Sequence, residues 1–172
     1  MVILLYGLSG SGKSTVAELA AEKIQDSIVL HGDDLREGLC SDLGFSSKDR
    51  TENHRRAFHV ARILSLAGKT VFVAMIAPYL EHRHLGQSIC NDVSYLEIYL
   101  NCPLSVCESR DVKGHYKRAR AGELDNFTGI GDPFVVPSEF TNVVNTSNLR
   151  PEESTEEVLR LISSVSLLEF NT

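Results

Sequence analysis

The sequence predicts a doubly wound α/β fold: a parallel sheet of five strands with helices on both faces. Three observations predict it. A glycine-rich motif lies between a short apolar run and a helical pattern at the start of the chain. Apolar runs and helical patterns then alternate to its end, and Lys69–Ile76 (KTVFVAMI) is almost continuously apolar, the mark of a parallel strand buried on both faces.

Val2–Tyr6 is the first strand, followed by a helix over Ser14–Ile24 with Val16, Leu19, Ala20 and Ile24 at helical spacing. Ser27–His31 is a second strand running into Gly32, Asp33 and Asp34, with a helical turn expected over Leu35–Cys40. Asp49–Ala67 is a long helix with Ala57, Val60, Ala61, Leu64 and Ala67 on its core face, and Gly68 stops it. Lys69–Ile76 is the third strand, ended by Pro78, and a helix over Leu80–Cys90 leads to a fourth strand, Tyr95–Leu100. Pro103 opens a helix through Arg110, and Lys113–Ala121 is a basic helical segment. From Gly122 to Phe140 the periodicity fails and Gly129, Gly131, Pro133 and Pro137 fall close together, which predicts a long loop of the kind that often serves as an active-site lid. Asn142–Asn145 is the fifth strand, and Pro151–Leu168 closes the chain as a helix.

At 172 residues and 42% hydrophobic, the chain suits one domain over residues 1–172, with the lid spanning 113–140. A net charge of -6 argues against a general nucleic-acid or membrane-surface binder, because those functions need a basic face. No apolar stretch approaches the ~20 residues of a membrane span, and no charged and apolar leader precedes the first strand. The expected location is the cytoplasm. Cys40, Cys90, Cys102 and Cys107 show neither C-x-x-C nor zinc spacing and read as free thiols.

The chemistry begins at Gly7–Thr15. GLSGSGKST fits G-x-x-x-x-G-K-[ST] on Gly7, Gly12, Lys13 and Ser14, in the strand-to-helix context that a phosphate loop requires. Gly7, Gly10 and Gly12 let the backbone curl with its amides inward, and the helix that follows adds the positive end of its dipole. The loop residues Gly7, Ser9, Gly10, Ser11, Gly12, Lys13, Ser14 and Thr15 thus form a candidate nucleoside triphosphate site. In it Lys13 neutralises the β- and γ-phosphates, and Ser14 offers Mg²⁺ a hard oxygen ligand.

Several scattered stretches converge on the same sheet edge, because in a parallel sheet ligands bind at the carboxyl ends of the strands. Asp33 follows strand two closely; it is either a helix N-cap or a group that takes a proton from an attacking hydroxyl or orders a metal's waters. Arg50, Asn53 and His54 share one face of the long helix, and Arg50 stands near the helix amino end, where the dipole disfavours a cation unless an anion is close. Arg110, Lys113, Lys117, Arg118 and Arg120 crowd the segment before the loop, either as a solvated helix or as a clamp over phosphates. Phe45 and Phe127 sit in glycine-containing loops, where a ring stacks on a base or forms a satellite of the core.

The blocks GLSGSGKST, GDDLREGLCSDLGFSSKDRTENHRR, IAPY and CESRDVKGHYKRARAGELDNFTGIGDP resemble, in order and spacing, the successive blocks of the adenylylsulfate kinases, a family of P-loop kinases. The resemblance implies transfer of the ATP γ-phosphoryl group, with Mg²⁺, to the 3′-hydroxyl of adenosine 5′-phosphosulfate. It makes Lys13 and Asp33 catalytic, with Asp33 as base or metal organiser beside Ser14. Arg36, Arg50, Asn53 and Lys113 fall on positions that hold the acceptor's phosphosulfate and sugar, and Phe45 and Phe127 on those that sandwich its adenine. Ile76 and Ala77 border the acceptor, and Arg110 lies over the adenine of ATP. A homodimer is also implied.

The chain departs from the family pattern at three places. His31–Asp34 reads HGDD where DGDN is common, Ala77 replaces a serine linked to a phosphorylated enzyme form, and Gly131 replaces an aspartate. With alanine at 77, transfer is expected to be direct. Two alternatives are a related kinase with another anionic nucleotide or sugar-phosphate acceptor, and a non-catalytic ATP-dependent switch.

Overall fold

The structure is a computed structural model and describes residues 1–137 and 142–169. Five parallel strands form one sheet in the order β2-β3-β1-β4-β5: β1 (Val2–Tyr6), β2 (Ser27–His31), β3 (Thr70–Met75), β4 (Tyr95–Asn101) and β5 (Val143–Asn145). β1 lies at the centre, and every one of its residues is buried. Its side chains alternate between two cores, as the period of two demands. Ile3 and Leu5 pack with Phe72, Ile98 and Leu100 under the helices α1 (Lys13–Lys23) and α7 (Pro151–Glu169). Val2, Leu4 and Tyr6 pack with Val71, Val73 and Met75 against the long helix α3 (Ser47–Leu66), which presents Ala57, Phe58 and Ala61. α4 (Leu80–Ile89) lies beside α3 on that face.

The strands fall within a residue of the sequence expectation at each end, but two helices begin two or three residues earlier than expected. α2 spans Gly32–Glu37 rather than Leu35–Cys40, because Asp33 and Asp34 suit its first turn, where the dipole favours negative charge. Asp33 therefore lies inside the helix, whose N-cap is His31 and has no side-chain cap bond. α3 starts at Ser47 because Ser46 caps it, accepting from the Asp49 amide at 3.2 Å while its hydroxyl donates to the Asp49 carboxylate at 2.7 Å.

After β4 come α5 (Leu104–Arg110) and α6 (His115–Arg120), the latter shorter than the expected basic segment because Gly114 enters it in the left-handed region at φ 68°. Residues 122–137 carry no helix or strand, only a bridge between Thr128 and Asp132. Hydrogen bonds nonetheless tie this stretch down: Val135 N donates to Pro78 O at 2.8 Å and Tyr79 Oη to Asp132 Oδ1 at 2.6 Å. The part of the expected loop at 138–140 lies outside the described residues. The strand order reverses at β1, so a crevice opens beyond its carboxyl end, where the phosphate loop starts.

Candidate active site

The loop between β1 and α1 has its carbonyls held from outside. Lys13 Nζ donates to Leu8 O at 2.6 Å, Tyr116 Oη to Ser9 O at 2.9 Å, Arg110 Nη1 to Gly10 O at 3.1 Å and Thr146 Oγ1 to Ser11 O at 2.8 Å. Four successive oxygens are thus engaged by four side chains from different parts of the chain. What the loop offers an anion is its amide side, at the amino end of α1. Lys13 is buried, and burial pulls its ammonium from 10.5 down to about 8.

A cavity of about 1130 Å³ extends from this loop along the carboxyl edge of the sheet. That lies just above the ~300–1,000 Å³ of an ordinary small-molecule pocket, which leaves room beyond the polyphosphate at the loop. Ser9 to Thr15 and Arg110 line one part; Asp33, Arg36, Phe45, Arg50, Asn53, Ile76, Lys113 and Phe127 line the rest. Gly7 and Ala77, also expected at the site, do not line the cavity. A Cβ on Gly7 would lie 2.6 Å from Leu100 O, so this glycine serves the close passage of β1 and β4. Ala77 is fully buried with φ 43°, and its carbonyl accepts from Arg83 Nη1 at 3.3 Å. Ile76 is the member of that pair with access to ligand.

Charge meets charge across the opening. Lys113 Nζ is bonded to the Asp33 carboxylate, joining the turn after α5 to the first turn of α2. Burial works to raise the Asp33 carboxyl, but the hydrogen bond and charge of Lys113, with His115 and Lys13 behind it, hold it below the usual carboxylate range. Asp33 is therefore an anion and a hydrogen-bond acceptor at neutral pH. Its two sequence readings part here: it caps nothing and faces the cavity.

The other cations divide. Arg36 donates to Gly44 O at 2.7 Å and lies 4.6 Å above the Phe45 ring. Arg50 donates to Phe45 O at 3.0 Å, to Thr128 Oγ1 at 3.1 Å and to Asn126 O at 2.6 Å, so it links the loop of Phe45 to the loop of Phe127. Arg118 lines the cavity and pairs with Glu123 at 3.3 Å. Arg120 is turned away to Glu108 at 2.8 Å, and Lys117 does not line the cavity, so the expected five-cation clamp contracts to Arg110, Lys113 and Arg118. Phe45 is 61% exposed, whereas Phe127 packs edge-on against Tyr116 with ring centroids 5.0 Å apart.

Tyr116, Thr128 and Thr146, all nearly fully buried, also support the site. No local pattern marks them, because each earns its place through a partner at least 78 residues away in sequence. His54, on the face shared with Arg50 and Asn53, lines the cavity but is buried and stacks on His82 at 4.2 Å. Its Nδ1 donates to Arg50 O at 2.7 Å, and burial lowers the ring to about 3, so it is a neutral imidazole.

Among the described residues no cluster of three or more His, Cys, Asp or Glu side chains is placed to hold a metal. Among the oxygen donors that line the cavity are the Ser14 hydroxyl, on the exposed first turn of α1, and the Asp33 carboxylate. Hard oxygens in that small number fit Mg²⁺, which keeps waters and phosphate oxygens for most of its shell.

The profile of the family described as adenylylsulphate kinase matches residues 1–145. The adenylyl-sulfate kinase of Geotalea uraniireducens is 44% identical over 166 residues, covering 94% of this chain and 80% of the relative. The APS kinase CysC of Mycobacterium tuberculosis, solved in complex with AMPPNP and APS, superimposes with a TM-score of 0.90 at 42% identity, over 94% of this chain and 96% of that one. A hexameric APS kinase from Thiobacillus denitrificans is also similar, with a TM-score of 0.68 at 25% identity, over 95% of this chain and 28% of that one.

Proposed function

The chain belongs to the adenylylsulphate kinase family, and from that premise we propose that it transfers the γ-phosphoryl group of ATP to the 3′-hydroxyl of adenosine 5′-phosphosulfate, giving 3′-phosphoadenosine 5′-phosphosulfate and ADP. The observation that carries this reading is the single long cavity. It has a phosphate loop along one part, and a second set of cations and aromatic rings along the other. A hydrolase or switch needs only the first.

Phosphoryl transfer passes through a loose transition state, so the work is alignment and charge stabilisation. The loop amides and Lys13 hold the donor phosphates, and Arg110, anchored on Gly10 O and on Thr146 O at 2.7 Å, borders the ATP side. Ser14, with Asp33 as a further oxygen donor, would hold Mg²⁺, which would supply charge neutralisation at the phosphates. Asp33 orients the acceptor hydroxyl and takes its proton on a carboxylate oxygen. Lys113, paired with Asp33, turns to the acceptor's phosphosulfate together with Arg36; Arg50 and Asn53 border its sugar, and Phe45 and Phe127 face its adenine. Ala77 has no hydroxyl and is buried, so the phosphoryl group passes directly between the two nucleotides.

The same reading covers the wider organisation. Residues 1–172 form one kinase domain, and the segment 113–140 closes over the nucleotides to keep water from the γ-phosphate. The protein works as a homodimer, an assembly expected from its family. Four buried free cysteines suit the reducing cytoplasm, and no helix among the described residues is long and apolar enough to cross a membrane.

The test is ADP release with Mg-ATP, with and without adenosine 5′-phosphosulfate, followed by identification of the nucleotide product. Acceptor-dependent ADP release with the 3′-phosphorylated product is expected. ATP binding without acceptor dependence would overturn the assignment.

A further inference from the structure

One buried side chain touches both parts of the cavity wall. Tyr116, in α6, is 1% exposed. Its hydroxyl donates to Ser9 O in the phosphate loop at 2.9 Å, across 107 residues of sequence. Its ring meets Phe127 edge-on, with centroids 5.0 Å apart and planes at 85°. His115 meets the same Phe127 ring at 6.0 Å and 73°, so two consecutive residues of α6 set its position. α6 itself is fixed at its start: Asp111 accepts from Tyr116 N and Lys117 N, each at 3.0 Å.

We propose that Tyr116 is a positioning residue with two separable duties, its hydroxyl setting the phosphate loop for the donor nucleotide and its ring setting Phe127 for the acceptor. This rests on the assignment of Phe127 to the acceptor's base in the reaction above. The hydroxyl end is a single bond at the tip of the side chain. Among the described residues Ser9 O accepts from Tyr116 alone, whereas Leu8 O, Gly10 O and Ser11 O are held by other side chains, so losing this bond frees one peptide in the middle of a cradle whose amides must converge. The ring end is independent of that bond. Tyr116 forms a small core with Cys102 and Cys107, against which Leu8, Leu104, Val106, Phe127 and Ile130 pack, and edge-to-face geometry fixes the tilt of Phe127. Burial pushes the phenol well above its ordinary value, so it keeps its proton as a donor throughout the working pH range.

The two duties separate by substitution. Tyr116→Phe removes only the hydroxyl and keeps the ring against Phe127; Tyr116→Leu removes both. For Tyr116→Phe, the KM for Mg-ATP and the Kd of a non-hydrolysable ATP analogue are expected to rise about tenfold, the scale of one buried hydrogen bond left unmade, while the acceptor KM stays within about twofold. Tyr116→Leu is expected to raise the acceptor KM about tenfold as well, because a loosened stacking ring no longer presents its face. Thermal melting checks that each variant is folded. If Tyr116→Leu does not fold, Tyr116→Phe still decides, since it preserves the packing. Unchanged ATP affinity in Tyr116→Phe, equal donor and acceptor shifts in that same variant, or an unchanged acceptor KM in a folded Tyr116→Leu would overturn the proposal. The ATP-analogue titration needs no acceptor, so it tests the loop duty even if the acceptor assignment fails. Wild-type turnover tests that assignment separately.

Discussion

Lys13 gives the sharpest prediction, because its burial has a measurable consequence for binding. The ammonium is buried and bonded to Leu8 O, and burial lowers it from 10.5 to about 8. A drop of that size corresponds to about 3 kcal/mol spent on keeping the charge out of water. The sign follows. The folded value lies below the unfolded one, so the penalty to folding is fully present below pH 8 and fades as pH rises from about 8 toward 10.5. A bound polyphosphate reverses the effect by favouring the charged form, so Mg-ATP binding above pH 8 must take up a proton. At pH 9 the free protein has about one-tenth of Lys13 protonated, so binding takes up about 0.9 proton and affinity falls up to tenfold per pH unit. Isothermal titration of a non-hydrolysable ATP analogue, in two buffers of different ionisation enthalpy at pH 7 and pH 9, measures the uptake directly. The expected result is near zero at pH 7 and close to one proton at pH 9, abolished in Lys13→Met. Affinity flat from pH 7 to 10, or equal uptake at both pH values, would refute the reasoning.

Three further expectations concern single residues. Asp33→Ala should abolish product formation while ATP-analogue affinity stays within a few-fold, checked by single-turnover kinetics beside a binding titration; undiminished turnover would remove Asp33 from the mechanism. Phe45→Ala should raise the acceptor KM about tenfold with little change in melting temperature, because the ring is 61% exposed and contributes little to the core. Gly7→Ala should destabilise the fold by about 2 kcal/mol, or roughly 4–8 °C in a melting experiment, because the new Cβ meets a backbone carbonyl that cannot step aside; a melt shifted by under about 1 °C would show that the crossing of β1 and β4 relaxes.

The sequence carries the sheet because each strand's burial is written locally. VILLY and TVFVAM are apolar throughout, as strands covered on both faces must be. The phosphate loop is equally legible, since its glycines and Lys13 act where they stand. Helix starts are harder. α2 and α3 begin where charge and a serine cap set them, ahead of the first apolar residue that periodicity detects. The basic segment illustrates the limit for sites. Arg118 and Arg120 look alike in sequence, yet one lines the cavity and the other turns to Glu108, a choice made by which acidic residue α5 brings alongside. Tyr116, Thr128 and Thr146 were invisible for the same reason: their partners arrive only with the tertiary fold.

Arg50 shows how such a partner changes the meaning of a residue. Near the amino end of α3 the dipole disfavours a cation, and an anionic ligand is one resolution. The structure supplies another: Phe45 O, Asn126 O and Thr128 Oγ1 converge on the guanidinium and give its donors the negative partial charge they require. Two of these acceptors adjoin Phe127 in sequence, and the third belongs to Phe45 itself. One planar group with fixed donor directions therefore sets the spacing of the two rings. Rings already held apart by a rigid bridge lose little freedom when a base slides between them, which is the general route by which preorganisation raises affinity. This also accounts for Phe45, whose exposure would be a cost in an ordinary loop. With Arg36 at 4.6 Å and Arg50 at 5.9 Å from its centroid, the ring is held by cations yet kept open to the cavity. An aromatic ring so placed is a binding surface, and the cation that seemed misplaced at the start of a helix is what keeps it facing its counterpart.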